Sequence, residues 1–287
     1  YTGSKNTVVC SSGTAALILA YMALGKEYKN ILIPSMTFVS TASAAKLLGK
    51  KVHLIDCNEN TGLICLDKVE KIIRKKKIDV IVPVHMNGKS VDLERLSKIT
   101  KNQNIAIIDD ASHAIGSEYF TSSKKKLKVG SSIHTDLTVF SFHPVKNITT
   151  GEGGAVTTND KKLYEKLISF RNHGIEKNKD RILNKHKGLN STGQLNQWYY
   201  EVHEIGFNFR LSDLNCALGL SQLKKLEYFK KQKLELVSKY YQCLADMREI
   251  IEVVNDPKDK KTSWHLFVIK IKFMKLKESR DFIMKAL

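Results

Sequence analysis

The 287-residue sequence has no long uninterrupted apolar segment. A membrane-spanning helix needs about 20 consecutive apolar residues, and no stretch of the chain approaches that length. The first ten residues, YTGSKNTVVC, also lack the basic start and apolar run of a secretory signal. We therefore expect a protein that does not associate with membranes and works in the cytoplasm.

Cysteine is scarce and gives no recognisable framework. Five cysteines are scattered along the chain, an odd number, and no CxxC pair occurs: Cys10, Cys57, Cys65, Cys216 and Cys243. Secreted disulfide scaffolds and zinc ribbons both need regularly spaced cysteines. We expect reduced thiols and no metal site.

The charge is strongly of one sign, with a net value of +18. Such a surplus suits an acidic partner, either nucleic acid or a phosphorylated small molecule. The lysines, however, are spread over many segments and have no aromatic residues interleaved with them. A lysine-rich solvated surface is the preferred interpretation, and no nucleic-acid partner is predicted.

Short β-branched segments alternate with helical patterns over the first 160 residues. Predicted strands are Thr7–Cys10, Ile31–Ile33, Val52–Ile55, Val80–Val84, Ile105–Ile108, Leu137–Phe142 and Ala155–Thr158. Predicted helices are Thr14–Leu24, Ser40–Leu48, Leu66–Lys76, Leu93–Thr100 and Lys161–Phe170. This alternation predicts an α/β fold with a mostly parallel sheet covered by helices on both faces. Ligands of such sheets bind at the carboxyl ends of the strands.

The pattern changes after Asn159. Residues 172–197 are polar and without clear period, which indicates a loop insertion or flap, most marked over 176–197. Residues 211–247 predict one or two long amphipathic helices, and alternation returns from Ile251. We expect a large domain over 1–210, connecting helices over 211–248 and the start of a smaller α/β domain over 249–287. The abrupt start and end suggest a fragment of a longer protein.

Three segments carry candidate chemistry. The first, Ser11–Leu17 (SSGTAAL), joins a strand to a helix through small and hydroxylated residues. Backbone N–H groups at a helix start form an anion site, although a plain helix cap with close packing fits equally well.

The second segment, IAIIDDASH, ends a buried strand in Asp109 and Asp110, followed by His113. A carboxylate at the ligand-binding edge can hold a cation or a protonated ring nitrogen. A helix cap, a surface aspartate and a packed structural histidine are the alternatives.

The third segment, VFSFHPVKNITTGEGGAV, delivers Ser141, His143 and Lys146 to a turn before a glycine-rich return. A lysine among apolar residues is poised for the lowered pKa that Schiff-base chemistry needs; a surface lysine is the alternative. Taken together, an anion site, a strand-end aspartate and a lysine match the needs of pyridoxal 5′-phosphate (PLP).

Five segments of the chain resemble, in the same order, motifs of the DegT-type sugar aminotransferases. They are CSSGTAAL, PSMTFVSTA, DDASHAIGSEY, VFSFHPVKNITTGEGGAVTTND and GFNFRLSDLNCALGLSQLKKLE. A weaker match follows at SWHL, residues 263–266. These enzymes are a branch of the fold-type I PLP enzymes. Within the family the motifs are most similar to the 4-aminotransferases of pseudaminic-acid biosynthesis.

The resemblance implies an aspartate-aminotransferase-like fold type I with a seven-stranded sheet. It implies that Lys146 is the catalytic Schiff-base lysine and later moves the substrate proton. The cofactor-binding residues it implies are Gly13, Thr14, Ala15 and Ser141 at the phosphate, Phe38 on the ring face, Asp110 at the ring nitrogen, His113 at the 3-oxygen, and Asn208 reaching the phosphate of the neighbouring subunit. This last role implies a homodimer with shared active sites.

The resemblance also implies the reaction. L-Glutamate would donate an amino group to C4 of a UDP-linked 4-keto-6-deoxy-N-acetylhexosamine, with Arg210 a candidate for the sugar diphosphate. A related branch that removes a hydroxyl has histidine in place of the lysine, so Lys146 favours transamination. Alternatives are amination or dehydration of another nucleotide sugar (dTDP- or GDP-linked, at C3 or C4) and an inactive truncated relic.

Overall fold

The computed structural model describes residues 1–286, and Leu287, the last residue of the predicted C-terminal domain, lies outside them. Thirteen strands are present in this part of the chain: β1 (Asn6–Cys10), β2 (Asn30–Pro34), β3 (Lys51–Ile55), β4 (Val80–Ile81), β5 (Ala106–Asp110), β6 (Glu118–Phe120), β7 (Lys126–Lys128), β8 (Leu137–Ser141), β9 (Gly154–Thr158), β10 (Ile175–Glu176), β11 (Glu201–Val202), β12 (Ile251–Val253) and β13 (Ile269–Ile271).

Eight α-helices accompany the strands within residues 1–286: α1 (Gly13–Leu24), α2 (Val39–Leu47), α3 (Leu66–Ile73), α4 (Leu93–Thr100), α5 (Lys161–Arg171), α6 (Lys185–Gly188), α7 (Asp213–Cys243) and α8 (Arg280–Ala286). Short 3₁₀ turns lie at Met86–Gly88, Ala245–Met247 and Phe273–Lys275. None of the described helices combines the length and apolar character that crossing a membrane requires.

The main sheet has seven strands in the order β1-β9-β8-β5-β4-β2-β3. The pairs β2–β3, β2–β4, β4–β5 and β5–β8 are parallel, whereas β9 is antiparallel to both β8 and β1. Six strands therefore run in one direction and only β9 opposes them. The predicted fold, a mostly parallel seven-stranded sheet, is confirmed.

Helices cover both faces of this sheet because its central strands are apolar on both sides. Ile31 and Ile33 of β2 pack in the core layer with α1, α2 and α5. Leu32, between them, faces the opposite layer with α3, α4 and Leu226 of α7. Alternate residues of a strand point to opposite faces, so a continuous apolar segment needs both layers.

Strand β4 is shorter than the predicted Val80–Val84. Pro83 has no N–H to donate, which interrupts the hydrogen-bond ladder. The Val82 amide still donates to Leu32 O, and Val84 makes an isolated bridge with Asp110. The chain therefore follows the sheet to its carboxyl edge without forming a longer regular strand.

The polar segment that was predicted as a loop insertion has internal order. β10 pairs with β11, and α6 lies between them. The Glu201 carboxylate accepts hydrogen bonds from the amides of Leu183 and Asn184, both at 2.8 Å. Arg181 links Glu165 of α5 to Glu176 at 2.9 and 2.8 Å. The Glu201 carboxylate therefore holds β11 against the start of α6, and Arg181 connects the segment to α5.

The predicted one or two long helices after residue 210 form a single helix, α7, of 31 residues. Beyond it, β12 and β13 pair as a separate two-stranded sheet. The domain boundaries at 210/211 and 248/249 stay predictions.

Candidate active site

A cavity of about 610 Å³ opens at the carboxyl ends of the parallel strands. Its walls come from the residues that follow β1, β2, β4, β5 and β8, so segments far apart in sequence meet there. The residues of the lining that bear on the chemistry are Ser12, Gly13, Thr14, Phe38, Asp110, His113, Ser141, His143, Lys146 and Glu152. Seven of the nine predicted site residues are among them.

The start of α1 forms one wall of the cavity. Ser12 caps the helix, its Oγ accepting from the Ala15 amide at 3.0 Å. No acidic residue occupies the first turn, so the partial positive charge of the helix start is not neutralised by a side chain. Thr14 and Ser141, which both carry a hydroxyl group, line the same cavity. This combination provides backbone and hydroxyl donors for a phosphate.

Gly13 is required by close packing and not by an unusual backbone angle. A Cβ atom at this position would lie 2.8 Å from Ser141 Cβ, well inside van der Waals contact. The absence of a side chain lets the end of β8 approach the helix start. Ser141 can therefore share a ligand with α1.

The two consecutive aspartates point to opposite faces of β5, as strand geometry requires. Asp110 lines the cavity; its carboxylate accepts from Thr41 Oγ1 at 2.9 Å and from the Ser112 amide at 3.2 Å. Asp109 is fully buried on the other face, with Oδ1 2.7 Å from His85 Nε2. Of the pair, Asp110 is the one available to a ligand.

Thr41, which donates a hydrogen bond to Asp110, was not among the predicted site residues. Thr41 is fully buried. Its hydroxyl lies 2.7 Å from Thr37 Oγ1, and its carbonyl accepts from Tyr21 Oη at 2.9 Å. The quoted motif PSMTFVSTA contains Thr41, but nothing in its local pattern distinguishes a buried donor from an ordinary residue in the first turn of a helix.

Lys146 lies in a turn after β8, where its amide donates to His143 O at 2.9 Å. Burial lowers the pKa of its ammonium group, and the nearby charge of Asp110 opposes that shift without cancelling it. A lysine with a lowered pKa has a larger neutral fraction near pH 7, which nucleophilic attack on a carbonyl needs.

His113 packs against His265, with 4.3 Å between the ring centroids and 35° between the ring planes. Burial lowers the pKa of His113 to about 4 and that of His265 to about 3, and the charge of Lys146 adds to both shifts. Both rings are therefore neutral near pH 7. His265 was not predicted as a site residue, although the SWHL match contained it.

Two predicted residues and Arg210 lie outside the cavity lining. Ala15 is buried, and its amide is already bonded to Ser12. Asn208 is exposed and bridges Asn172. Arg210 donates to the Asn172 side chain. The roles that the resemblance implied for these three residues stay predictions.

The residues that surround the cavity fit PLP. A helix start with hydroxyl groups suits its phosphate, a buried carboxylate suits its ring nitrogen, and a lysine with a lowered pKa suits its aldehyde. A mostly parallel seven-stranded sheet with this set at its carboxyl edge defines the class of fold-type I enzymes.

The chain belongs to the DegT/DnrJ/EryC1/StrS aminotransferase family, whose profile matches residues 1–287. The family and fold expected from the sequence are confirmed. Over 271 residues the chain is 41% identical to the UDP-4-amino-4,6-dideoxy-N-acetyl-beta-L-altrosamine transaminase of Campylobacter jejuni strain 81-176, covering 94% of this chain.

Solved structures agree with this assignment. Helicobacter pylori PseC, an aminotransferase of pseudoaminic acid biosynthesis, superimposes with a TM-score of 0.80 at 33% identity, covering 99% of this chain and 69% of PseC. The PMP form of the putative sugar aminotransferase Spr1654 from Streptococcus pneumoniae gives 0.78 at 27% identity, covering 95% and 69%. The chain spans 65% of the length of the Campylobacter relative.

Proposed function

We propose that this chain is a PLP-dependent aminotransferase that moves an amino group from L-glutamate to C4 of a UDP-linked 4-keto-6-deoxy-N-acetylhexosamine. The product would enter pseudaminic-acid or other surface-glycan biosynthesis. The observation that carries the proposal is that Lys146, Asp110 and the start of α1 face one cavity. The 41% identity to a transaminase of this substrate class supports the choice of sugar.

Each part of the cofactor has a counterpart in the cavity. Ser12, Gly13, Thr14 and Ser141 would hold its phosphate, and Asp110 would pair with its ring nitrogen. His113 would contact the 3-oxygen as a neutral ring, because burial lowers the pKa of His113 to about 4. Ala15 would act only through its place in the first turn of α1, since Ser12 already occupies its amide.

The bound cofactor would accept the amino group and spread the electron pair released when a substrate carbon loses its proton. Lys146 is the group in the cavity suited to take that proton and return it. Its lowered pKa leaves part of the amine neutral and able to act as a base. Thr41 holds Asp110 in place, so that its charge stays fixed while the proton moves.

We propose a homodimer with shared active sites as the working assembly. Phe38, which lines the cavity, is 72% exposed, and Ile205 is 83% exposed. A partner subunit would cover both. Asn208 and Arg210 do not line the cavity of their own protomer. If these residues contact the phosphate or the sugar diphosphate, they do so in the cavity of a neighbouring subunit.

We also propose that the protein works in the cytoplasm, where a reducing environment suits its five free cysteines.

The first experiment is an absorbance spectrum of the protein with PLP, before and after borohydride, followed by peptide mapping. We expect an absorbance band between about 330 and 420 nm, and we expect borohydride to attach the cofactor permanently to Lys146. Lys146→Ala should abolish turnover and the fixed adduct. Lys29→Ala, an exposed lysine outside the cavity, is the matched control and should behave as wild type. No band from well-folded wild-type protein would favour the inactive relic.

Product analysis identifies the sugar. The protein is incubated with glutamate and with UDP-, dTDP- or GDP-linked 4-keto sugars, and the amino-sugar products are separated and assigned by NMR. Amination at C4 of the UDP-linked N-acetyl sugar is the expected result. Preference for another nucleotide, amination at C3, or loss of a hydroxyl would replace the proposed substrate without changing the cofactor.

A further inference from the structure

Asn147, next to Lys146, lies at the centre of a buried hydrogen-bond network. Its side chain is 6% exposed. Nδ2 donates to Ser263 Oγ at 2.8 Å and lies 3.3 Å from His113 O and 3.4 Å from Ile115 O. Oδ1 accepts from Lys233 Nζ of α7 at 2.5 Å. Both ends of the amide are engaged, so the turn that carries Lys146 is held from two sides.

Ser263 is the residue that brings the C-terminal segment into this network, although it lies 116 positions from Asn147 in the sequence. It is 1% exposed. Its amide donates to Ser117 Oγ at 3.0 Å, and its hydroxyl donates to His113 O at 3.2 Å. Ser117 Oγ in turn donates to Gly88 O at 2.6 Å. Ser263 thus contacts Asn147 and the segment from His113 to Ser117 directly, and it reaches Gly88 through Ser117.

The backbone around Ser263 is built for this contact. Gly88 has φ of 89°, and a Cβ there would lie 2.8 Å from Ser263 Oγ and 3.0 Å from His113 O. Trp264 adopts a left-handed φ of 47°, which a bulky residue rarely accepts. The backbone amide of the next residue, His265, donates to Asn87 O at 3.1 Å, and its ring packs at a tilt against His113.

We propose that Asn147 and Ser263 are positioning residues. Together they fix the turn that carries Lys146 relative to His113 and to His265 of the C-terminal segment. The proposal rests on the function proposed above for Lys146. Asn147 fixes the backbone one residue from the reactive amine, and Ser263 fixes Asn147 and the His113 carbonyl together. Loss of either contact would free the turn and let Lys146 move from its half-buried position to a more hydrated one.

The test uses Ser263→Ala, with Thr262→Val as the matched control. Thr262 is buried in the same segment, but its hydroxyl bonds to Asp259 and not to the network. Lys146 of the cofactor-free protein is labelled with acetic anhydride across a pH series, and its acetylation rate is read by peptide mass spectrometry. The titratable groups that act on Lys146 and on the network include Asp110, His113, His265, Lys233 and His85.

We expect the pH midpoint of Lys146 labelling to rise by about half a pH unit or more in Ser263→Ala, because a better-hydrated amine holds its proton more tightly. Thr262→Val should leave the midpoint unchanged. In the active enzyme, Ser263→Ala should lower kcat by about three- to ten-fold, the effect of one lost hydrogen bond, with little change in KM.

Asn147→Ala is the second variant and should shift the midpoint in the same direction. Equal midpoints in wild type, Ser263→Ala and Asn147→Ala, or an equal shift in Thr262→Val, would overturn the proposal. The labelling experiment needs neither cofactor nor substrate. Failure of the proposed function would therefore leave this result interpretable, and failure of the network would leave the borohydride adduct on Lys146 intact.

Discussion

Replacing Thr41 by valine tests whether a buried donor holds the carboxylate at the cavity. Valine keeps the shape of threonine and removes the hydroxyl that donates to Asp110 at 2.9 Å. Asp110 would then retain one protein donor in the described structure, the Ser112 amide at 3.2 Å. Hydrogen bonds to charged groups contribute about 1.5–3 kcal/mol, so we expect a loss of that size in the free energy of unfolding.

Urea denaturation at pH 7 measures the change, with Thr100→Val as the comparison. Thr100 is also buried, but its hydroxyl donates to the neutral carbonyl of Ser97 at 3.2 Å, and a neutral bond contributes about 0.5–1.5 kcal/mol. Thr41→Val should therefore lose about 1 kcal/mol more than Thr100→Val. Equal losses in the two variants would show that the bond to Asp110 carries no special weight and would refute the reasoning.

Three further predictions concern the same cavity. The free energy of unfolding should fall as pH drops from 6.5 toward 4. In the unfolded chain both histidines take up protons over this range, whereas burial lowers the pKa of His113 to about 4 and that of His265 to about 3 in the folded protein. Urea denaturation over a pH series should show a weaker pH dependence for His265→Asn than for wild type. Gly13→Ala should weaken PLP binding by about ten-fold or more, because the new methyl group would push Ser141 away from the start of α1. Unchanged affinity in a fluorescence titration would show that the phosphate does not bind between Ser141 and the start of α1. Asp110→Asn should lower kcat by roughly 10³-fold, whereas near-normal kinetics would point to Asp109 or to another cofactor.

Much of the fold was predictable because its signals are local. Strand β2 and helix α1 are continuous apolar segments bounded by polar residues or glycine, so their type follows from sequence alone. The order of strands in the sheet is a different matter, since β1 pairs with β9 and not with a neighbour in sequence. The family resemblance implied the fold type and the number of strands, whereas the order of the strands comes from the structure.

The candidate site divides in the same way. Gly13, Asp110 and Lys146 lie in motifs whose spacing relative to a strand end indicates a role. Thr41, Ser263 and His265 do not, because their importance arises from contacts with residues 69, 116 and 152 positions away. The family resemblance already favoured Asp110 over Asp109. The physical reason, that the two side chains point to opposite faces of β5, comes from the structure.

The pairing of β1 with β9 has a consequence for how the chain folds. Asn6 of β1 lies opposite Thr158 of β9, 152 positions later. Closing a loop of that length costs about 4 kcal/mol of chain entropy by the logarithmic rule, and contacts between distant residues slow folding. Until β1 arrives, β9 presents an open strand edge, which is a template for pairing with other chains. Aggregation during refolding should therefore compete with this pairing step, even though β9 lies between β1 and β8 in the finished sheet.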